Sequence, residues 1–388
     1  MTDGSFQRKL LFLCTSHTLL HVYTNLPLAL LPVLIGEYGL SILLASLIVA
    51  IPRVFSLIFS IPSGLLTDRL GHTKLISFSL FLNVIAGSLI FLSPNVEVAV
   101  LGFSIIALAS TFYHPPALSA TSNISPSGFL SRALGFHGAS GTFGISLGPI
   151  TLGFILNWLE WRYIYLIWIV PIFLVATVAL FVDIDEHLSE GFDQRRKKHL
   201  TTPLKDVLSV TFLSFLLLML FSSAAGGTIS TYFTTYLTEN RGLDAGLASI
   251  IFGLSPLIGL TSVIIGGYAG DKLGWRRSLT LTVSTVITAL FLMFVSTSTT
   301  QTVLFYIVYG FFNIMTMPIT TSLVAKITPQ KSRGTAFSLQ FIPESVIGIA
   351  MPVILGVLIN LLEIGIIFPI AIIFFVIVLF ITQILKIE

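Results

Sequence analysis

The chain has 388 residues, of which 55% are hydrophobic and only 10% are charged, and its formal net charge at pH 7 is +3. Its mean hydropathy of +0.98 excludes an ordinary water-soluble domain, in which charged residues make up about 25% of the sequence. The single cysteine, Cys14, excludes an intrachain disulfide and a thiolate metal cluster, and we expect an integral membrane protein in a lipid bilayer with no nucleic-acid partner.

Apolar runs that are long enough to cross a bilayer recur along the chain, since a spanning helix needs about 20 residues. They predict an all-α membrane protein with twelve transmembrane helices, approximately at residues 10–35, 41–66, 75–94, 98–123, 133–157, 162–182, 207–237, 245–268, 279–298, 302–326, 335–361 and 365–385. A long polar segment separates the sixth span from the seventh. We therefore expect an N-terminal six-helix bundle at residues 1–182, a cytoplasmic linker at 183–205 and a C-terminal six-helix bundle at 206–388.

The first predicted span carries His17 and His21, which lie on one helix face because they are four residues apart. A third histidine, His114, lies about midway along the fourth span. Three interpretations stay open: binding of substrate or protons, neutral rings bonded to the backbone or to Tyr23 and Tyr113, and a metal site built from the three rings. A zinc site generally needs a fourth ligand as well, and the sequence places none, so we predict no metal and no cofactor.

Charged residues inside the predicted spans are few. They cost about 2.5–3.5 kcal/mol at the bilayer centre, so those that remain normally face a cavity or a partner. At 1.5 Å per residue, Arg53 lies roughly 22 Å along the second span from Asp68, and Glu344 roughly 16 Å along the eleventh span from Arg333. Gln340 is a further polar candidate on the eleventh span.

Two polar motifs occur twice. The segment GLLTDRLGHTK, after the second span, is echoed by GYAGDKLGWRR after the eighth. The segment ISPSGFLSRALGF, after the fourth span, is echoed by ITPQKSRGTAF after the tenth, at almost the same offset. The repeats predict a duplicated six-span unit, and because six is even, both copies insert the same way up.

The repeated loops are candidates for gating. Gly71 and Gly274 are predicted to form tight turns at the membrane surface. Asp68 can meet a helix N-terminus or Arg333, and such contacts would hold the two halves together on the cytoplasmic side until the protein opens inward. The alternative is a loop that merely orients the protein. The candidate gating residues are Asp68, Arg69, Gly71, Asp271, Lys272, Gly274 and Arg333.

The fifth span is rich in glycine. Small residues about four apart allow close helix approach, and a proline inside the span bends it. These positions are Gly135, Gly144, Gly148, Pro149 and Gly153. Generic packing of membrane helices is the alternative explanation. His137, near the predicted start of this span, ranks below the other histidines.

Basic residues set the predicted orientation. With the N-terminus inside, the cytoplasmic segments hold Arg8, Lys9, Arg69, Lys74, Arg132, Arg195, Arg196, Lys197, Lys198, Lys205, Lys272, Arg276, Arg277, Lys326, Lys331, Arg333 and Lys386. External loops hold Arg162 and Arg241. This bias predicts a multi-pass protein of the cell membrane with both termini in the cytoplasm.

The loop pattern G-x-x-x-D-R/K-x-G-R/K, here Gly64 to Lys74, resembles the loop signature of the major facilitator superfamily. Span number, loop positions and the internal repeat extend the resemblance over the whole chain, although His72 and Thr73 replace the usual basic pair. The resemblance implies two pseudo-symmetric six-helix bundles around a central cavity that opens alternately to each side.

The resemblance also assigns roles. It implies that the first and fourth spans line the cavity, which directs His17, His21 and His114 inward. It implies that the second and eleventh spans pack together, so that Arg53 and Glu344 can pair or share a substrate, with Glu344 taking up a proton once they separate.

Two further features narrow the resemblance. The fifth span looks like the antiporter motif G-x8-G-x3-G-P, which favours export. The segment FYHPPALS and the spacing of His17 to Pro32 resemble the branch that includes fosmidomycin-resistance proteins. That branch usually has acidic residues where His21 and Pro116 stand here, so its proton carriers do not transfer to this chain.

The expected function is therefore transport without covalent chemistry. No phosphate-binding loop or nucleophile elbow occurs on a cytoplasmic loop, which leaves an ion gradient as the energy source. We predict a monomeric, proton-coupled exporter of drug-like or metabolite small molecules. The alternatives are uptake or exchange of a small organic anion, and a membrane sensor that does not transport.

Overall fold

The computed structural model describes residues 4–126, 129–185, 208–328, 336 and 339–385. These residues form α-helices and one short 3-10 helix, Ile364–Ile366, with no β-strand among them, which confirms the all-α prediction. The helices are α1 Gly4–Thr24, α2 Leu26–Tyr38, α3 Ile42–Leu70, α4 His72–Phe91, α5 Val96–Ile124, α6 Leu130–Ile155, α7 Tyr163–Ala179, α8 Val210–Glu239, α9 Ala245–Leu273, α10 Trp275–Val295, α11 Thr299–Ile327, α12 Phe341–Leu362 and α13 Ile367–Ile384.

The predicted spans match these helices closely. Within the described residues, 11 segments are long and apolar enough to cross a bilayer, and a twelfth, α7, is apolar but shorter. The sequence predicts the fourth span at 98–123, for example, and α5 runs from Val96 to Ile124. A hydropathy pattern locates such helices well because every one of them must present about 20 apolar residues.

The first span differs from its prediction, because it is divided into α1 and α2 rather than being one continuous helix. The break falls at Asn25, two residues before Pro27. A proline has no amide hydrogen to donate, and its ring crowds the carbonyl four residues earlier, here that of Tyr23, which explains a break here. Helix α2 then starts anew, with the Ala29 amide donating to the Asn25 carbonyl at 3.2 Å.

The described residues fall into two compact units. The first holds residues 4–34 and 51–185, and the second holds residues 35–50 and 208–385. In the first unit, the first span packs against the fifth (α1 on α6), and the third packs against the fourth and the sixth (α4 on α5 and α7). In the second unit, the corresponding pairs are α8 with α12, and α10 with α11 and α13. The internal repeat read from the two loop motifs is therefore present in the packing of the helices.

The two predicted glycine turns are also present. Gly71, between α3 and α4, has φ 85° and ψ 166°, and Gly274, between α9 and α10, has φ 80° and ψ 151°. Positive φ favours glycine, which has no Cβ, so the same residue type stands at the equivalent turn of each copy. The Asp68 and Arg69 side chains and Arg333 lie outside the described part of the chain, so the gating contacts assigned to them stay predictions.

A carboxylate from the end of the first unit caps α4. Asp185 Oδ1 accepts from the His72 backbone amide (3.2 Å) and lies 2.6 Å from His72 Nδ1, and its Oδ2 accepts from the Thr73 amide (3.1 Å). The Ile184 amide donates to Thr73 Oγ1 at 3.0 Å, and His72 Nε2 lies 2.8 Å from Ser119 Oγ. Asp185 thus occupies the site where the helix dipole favours an anion.

Removal of this cap is expected to destabilise the first unit. Burial alone would raise the pKa of Asp185, but hydrogen bonds from the His72 ring and from the Thr73 and His72 amides, with electrostatic attraction to the ring, lower it to about 2. In Asp185→Ala, the free energy of unfolding at pH 7 should fall by about 1–2 kcal/mol, the range of a lost cap. Because the folded-state pKa is depressed, the difference should be present above about pH 4 and shrink as the pH falls toward 2.

Thermal unfolding in detergent at several pH values measures this effect. The control is Asp183→Ala, which removes an exposed carboxylate that accepts from the Asp185 amide at 2.9 Å. A cap role for Asp185 is wrong if both variants melt at the same temperature.

Candidate functional site

Helices α1 and α6 approach each other through glycines of α6. A Cβ atom at Gly144 would overlap the Thr18 carbonyl oxygen and lie 3.0 Å from His21 Cβ, and one at Gly148 would overlap the Val22 carbonyl oxygen. Thr18 Oγ1 donates to the Ser140 carbonyl of α6 at 2.9 Å. The predicted close approach of the fifth span is therefore confirmed, and its partner is the span that carries the paired histidines.

The other positions of the predicted glycine motif behave differently. Helix α6 continues through Pro149. A Cβ atom at Gly135 would meet nothing within 4 Å, whereas Gly153 is buried. Close approach to α1 thus explains Gly144 and Gly148, and it does not explain Gly135.

Four histidines form one cluster inside the first unit. His17 and His21 come from α1, His114 from α5 and His137 from α6. The His17 and His137 rings are stacked with centroids 4.0 Å apart. The His17 centroid lies 4.7 Å from that of His21 and 5.4 Å from that of His114, and the last two are 5.1 Å apart. The structure therefore brings together the three histidines that the sequence singled out.

Hydrogen bonds to the backbone fix which ring nitrogens carry hydrogen when the rings are neutral. His17 Nδ1 lies 2.7 Å from the His137 carbonyl oxygen, and His114 Nδ1 lies 2.7 Å from the Ser110 carbonyl oxygen. A carbonyl oxygen only accepts, so both Nδ1 atoms donate. In the neutral rings, both Nε2 atoms then carry no hydrogen and have a free lone pair. His21 Nε2 lies 3.2 Å from His114 Nε2 and must therefore be the donor of that pair.

Two nitrogens of the cluster have no partner among the described residues. His17 Nε2 and His21 Nδ1 are buried without a hydrogen bond to these residues. His17 is 6% exposed and His137 is fully buried. A buried polar atom without a partner costs about 1–3 kcal/mol, so the arrangement is one that a ligand can improve.

The two candidate tyrosines, Tyr113 and Tyr23, have different hydrogen-bond partners, and only one of them lies against the histidine cluster. The Tyr113 ring stacks on His17 at 5.6 Å, and its hydroxyl lies 2.7 Å from Ser16 Oγ and donates to the Leu13 carbonyl at 3.0 Å. The Tyr23 hydroxyl instead donates to the Tyr165 carbonyl of α7 at 2.6 Å. Tyr113 therefore belongs to the wall of the cluster, whereas the Tyr23 hydroxyl is satisfied elsewhere.

The surroundings of the cluster are cationic rather than acidic. The electrostatic partners of His21 are His114, His137 and Arg53, and no carboxylate is among the electrostatic partners of His17, His21 and His137 in the described residues. Arg53 is half-buried on α3. The neighbourhood of His21 therefore suits neutral donors or an anion.

The remaining candidates lie outside the cluster. Glu344 is exposed within the second unit, and Gln340 directly precedes its helix. Helix α12 begins at Phe341, so Glu344 lies in its first turn. Ala336 and Leu339, before this helix, are also helical, and the predicted depth of Glu344 stays a prediction. Asp271 and Lys272 are exposed at the end of α9, and Lys272 Nζ lies 5.9 Å from the Tyr268 ring centroid.

His137 is the functional candidate that sequence reasoning ranked too low. The fifth span was predicted to begin at residue 133, which placed His137 near the N-terminal end of that span. In the structure, α6 begins at Leu130, so His137 lies two turns into the helix. His137 stands four residues before Gly141, whose Cβ position would collide with the His17 ring. The spacing of 137, 141, 144 and 148 is a single helix face, and this signal was available in the sequence.

Comparison with known proteins supplies the wider context. The family model of the Major Facilitator Superfamily matches residues 11–352 and 260–386. Similar curated proteins include the fosmidomycin resistance protein of Escherichia coli (strain K12), 23% identical over 265 residues, and the quinolone resistance protein NorB of Staphylococcus aureus (strain JH9), 23% identical over 238 residues. The first alignment covers 67% of this chain and 64% of the relative, and the second covers 61% and 45%, so the chain spans less than two thirds of either relative.

The fold is shared with a solved structure. The crystal structure of a D-xylose-proton symporter has a TM-score of 0.78 at 16% sequence identity, over 98% of this chain and 98% of that chain. At this identity the likeness establishes the architecture alone. The number of predicted helices and the internal repeat of the sequence had predicted the same architecture.

Proposed function

This chain belongs to the Major Facilitator Superfamily, and we propose that it exports a drug-like or metabolite small molecule in exchange for protons, by alternating access. The names of its relatives, resistance proteins for fosmidomycin and for a quinolone, support export of a small molecule. The solved structure named for proton symport supplies a precedent for proton coupling on this fold. No covalent step is part of the proposal.

The observation that carries the proposal is the buried histidine cluster. Polar side chains within transmembrane helices are costly and usually mark a substrate or ion path. Here three helices of one unit contribute four imidazoles, and His17 Nε2 and His21 Nδ1 lack partners among the described residues. A cluster needed only for helix packing would satisfy its own hydrogen bonds. We therefore assign the substrate site to His17, His21 and His114, with Tyr113 as its wall.

The proton is assigned to a different group. Glu344, in the first turn of α12, is the only charged residue of that helix and is the group that we propose to carry the proton. The loops at Gly71 and Gly274 serve as the gates. The proposal also includes a monomer in the cell membrane with both termini in the cytoplasm, which rests on the distribution of basic residues.

The experiment is transport in inverted membrane vesicles with an imposed pH gradient. We expect the gradient to drive accumulation of a substrate drug, first sought among phosphonate and quinolone antibiotics because of the relatives' names. Vesicles without the protein provide the background. No gradient-dependent accumulation of any compound in such a panel would contradict proton-coupled export.

A second candidate is exchange of a small organic anion. Arg53 acts electrostatically on His21, and no carboxylate is among the electrostatic partners of His21 in the described residues. An anion would be attracted to such a site. Counterflow of a labelled organic anion that does not respond to the pH gradient would favour this candidate over export.

A further inference from the structure

The histidine cluster has the geometry of a metal site. One ring nitrogen from each of His17, His21 and His114 lies within 4.8 Å of the other two. A tetrahedral Zn²⁺ ion with Zn–N distances of 2.0–2.1 Å places its ligand nitrogens about 3.3 Å apart. His21 Nε2 and His114 Nε2 are already 3.2 Å apart. The His17 nitrogen must approach by no more than about 1.5 Å, because no two of the three nitrogens are more than 4.8 Å apart.

The hydrogen bonds prepare two of the three rings for ligation. A metal-binding imidazole usually donates its other N–H to a backbone carbonyl or a carboxylate, which fixes the tautomer and orients the lone pair. His17 and His114 both donate from Nδ1 to a carbonyl oxygen at 2.7 Å, so each presents a bare Nε2. His17 Nε2 is buried and has no partner among the described residues.

We propose that His17, His21 and His114 bind one divalent transition-metal ion of the class that prefers imidazole, with Zn²⁺ as the reference ion. His21 binds through Nε2 after its hydrogen moves to Nδ1, which has no hydrogen-bond partner among the described residues, and the ring stays neutral. His137 stacks on His17 and supports it without being a ligand, since its nitrogens are outside the group that lies within 4.8 Å.

Three imidazoles leave one tetrahedral position open, as in zinc sites that bind an exchangeable ligand. The positive charge near His21 comes from Arg53, so the open position suits an anionic donor atom better than a second cation. If the substrate enters here, as the proposed function assumes, a group with such a donor atom would bind the ion directly. Binding of the ion itself does not depend on that step.

The test is direct metal binding by the purified full chain in detergent. The protein carries an affinity tag without histidine, is stripped with a chelator, and is titrated with Zn²⁺ by calorimetry and with Co²⁺ by visible absorption. We expect one equivalent of Zn²⁺ and the intense Co²⁺ bands of tetrahedral coordination. A wild-type protein that binds no Zn²⁺, or gives only the weak octahedral Co²⁺ spectrum, overturns the proposal without any variant.

Variants assign the ligands. His17→Gln, His21→Gln and His114→Gln should each weaken Zn²⁺ binding by more than the roughly 10- to 100-fold typical of a lost outer partner. The matched control is His137→Phe, which keeps an aromatic ring against His17 and leaves the residue 137 carbonyl in place, and it should retain the site. Full binding in the three glutamine variants would place the ion elsewhere and overturn the proposal. These experiments measure metal binding and not transport. A negative result would therefore overturn the metal site but not the proposal of proton-driven export, which the vesicle assay tests.

Discussion

Gly144→Ala is expected to lower the free energy of unfolding by about 3 kcal/mol, the upper part of the range for overpacking. The new methyl group would overlap the Thr18 carbonyl oxygen of α1. A backbone atom inside a packed helix cannot rotate away as a side chain does, so α1 and α6 must separate. Thermal unfolding of the detergent-solubilised protein measures the loss, which should appear as a large drop in melting temperature or as poor recovery of folded protein.

The same helix offers a matched control. Gly138 lies in α6, and a Cβ atom at that position would meet nothing within 4 Å. Gly138→Ala should be neutral or stabilising by up to about 1 kcal/mol, because alanine costs less conformational entropy than glycine in a helix. If both alanine variants melt at the same temperature, α1 and α6 do not meet through Gly144 as described.

The packing of α1 on α6 also positions the cluster. Because Gly144 has no Cβ atom, His21 can pack directly against α6: a Cβ atom at residue 144 would lie only 3.0 Å from His21 Cβ. Gly141 in the same way leaves room for the His17 ring. The histidines then reach His114 of α5. We therefore expect Gly144→Ala to disturb the binding site together with stability, whereas Gly138→Ala should leave both unchanged.

Much of this arrangement was predictable. Long apolar runs located the helices, and two repeated loop motifs predicted a duplication that the helix packing of the two units reproduces. The spacing of His17 and His21 predicted one helix face for these two residues. These predictions succeeded because each depends on local periodicity or on a repeat, which a single sequence displays.

Other features depend on contacts between residues far apart in the chain. The bare Nε2 of His17 follows from a bond to the His137 carbonyl, 120 residues away. No local pattern predicts which nitrogen of an imidazole will donate. The division of the first span at Asn25 was missed for another reason, since hydropathy registers Pro27 as one residue among many and not as a helix breaker.

Glu344→Gln is expected to abolish accumulation driven by a pH gradient while leaving exchange of substrate down its own gradient. Glutamine keeps the size of the side chain but cannot take up a proton, so the variant should lose coupling rather than folding. Accumulation in inverted vesicles should fall to the level without a gradient, and the melting temperature should change little, because the carboxylate is exposed within its unit and its favourable position at the helix N-terminus contributes only about 0.3–1 kcal/mol.

The matched control for this prediction is Glu97→Gln, because Glu97 is also an exposed glutamate in the first turn of a helix, α5. Loss of the helix-dipole interaction is the same in both variants, so a difference in coupling isolates the proton-carrying role. Gradient-driven accumulation at the wild-type level in Glu344→Gln would remove Glu344 from the mechanism. If both variants lose gradient-driven accumulation to the same extent, the cause is the lost stabilisation of the helix N-terminus and not the loss of a proton carrier. If Glu344 pairs with Arg53, as the sequence predicts, Arg53→Gln should also weaken the coupling of substrate accumulation to the pH gradient in the same assay.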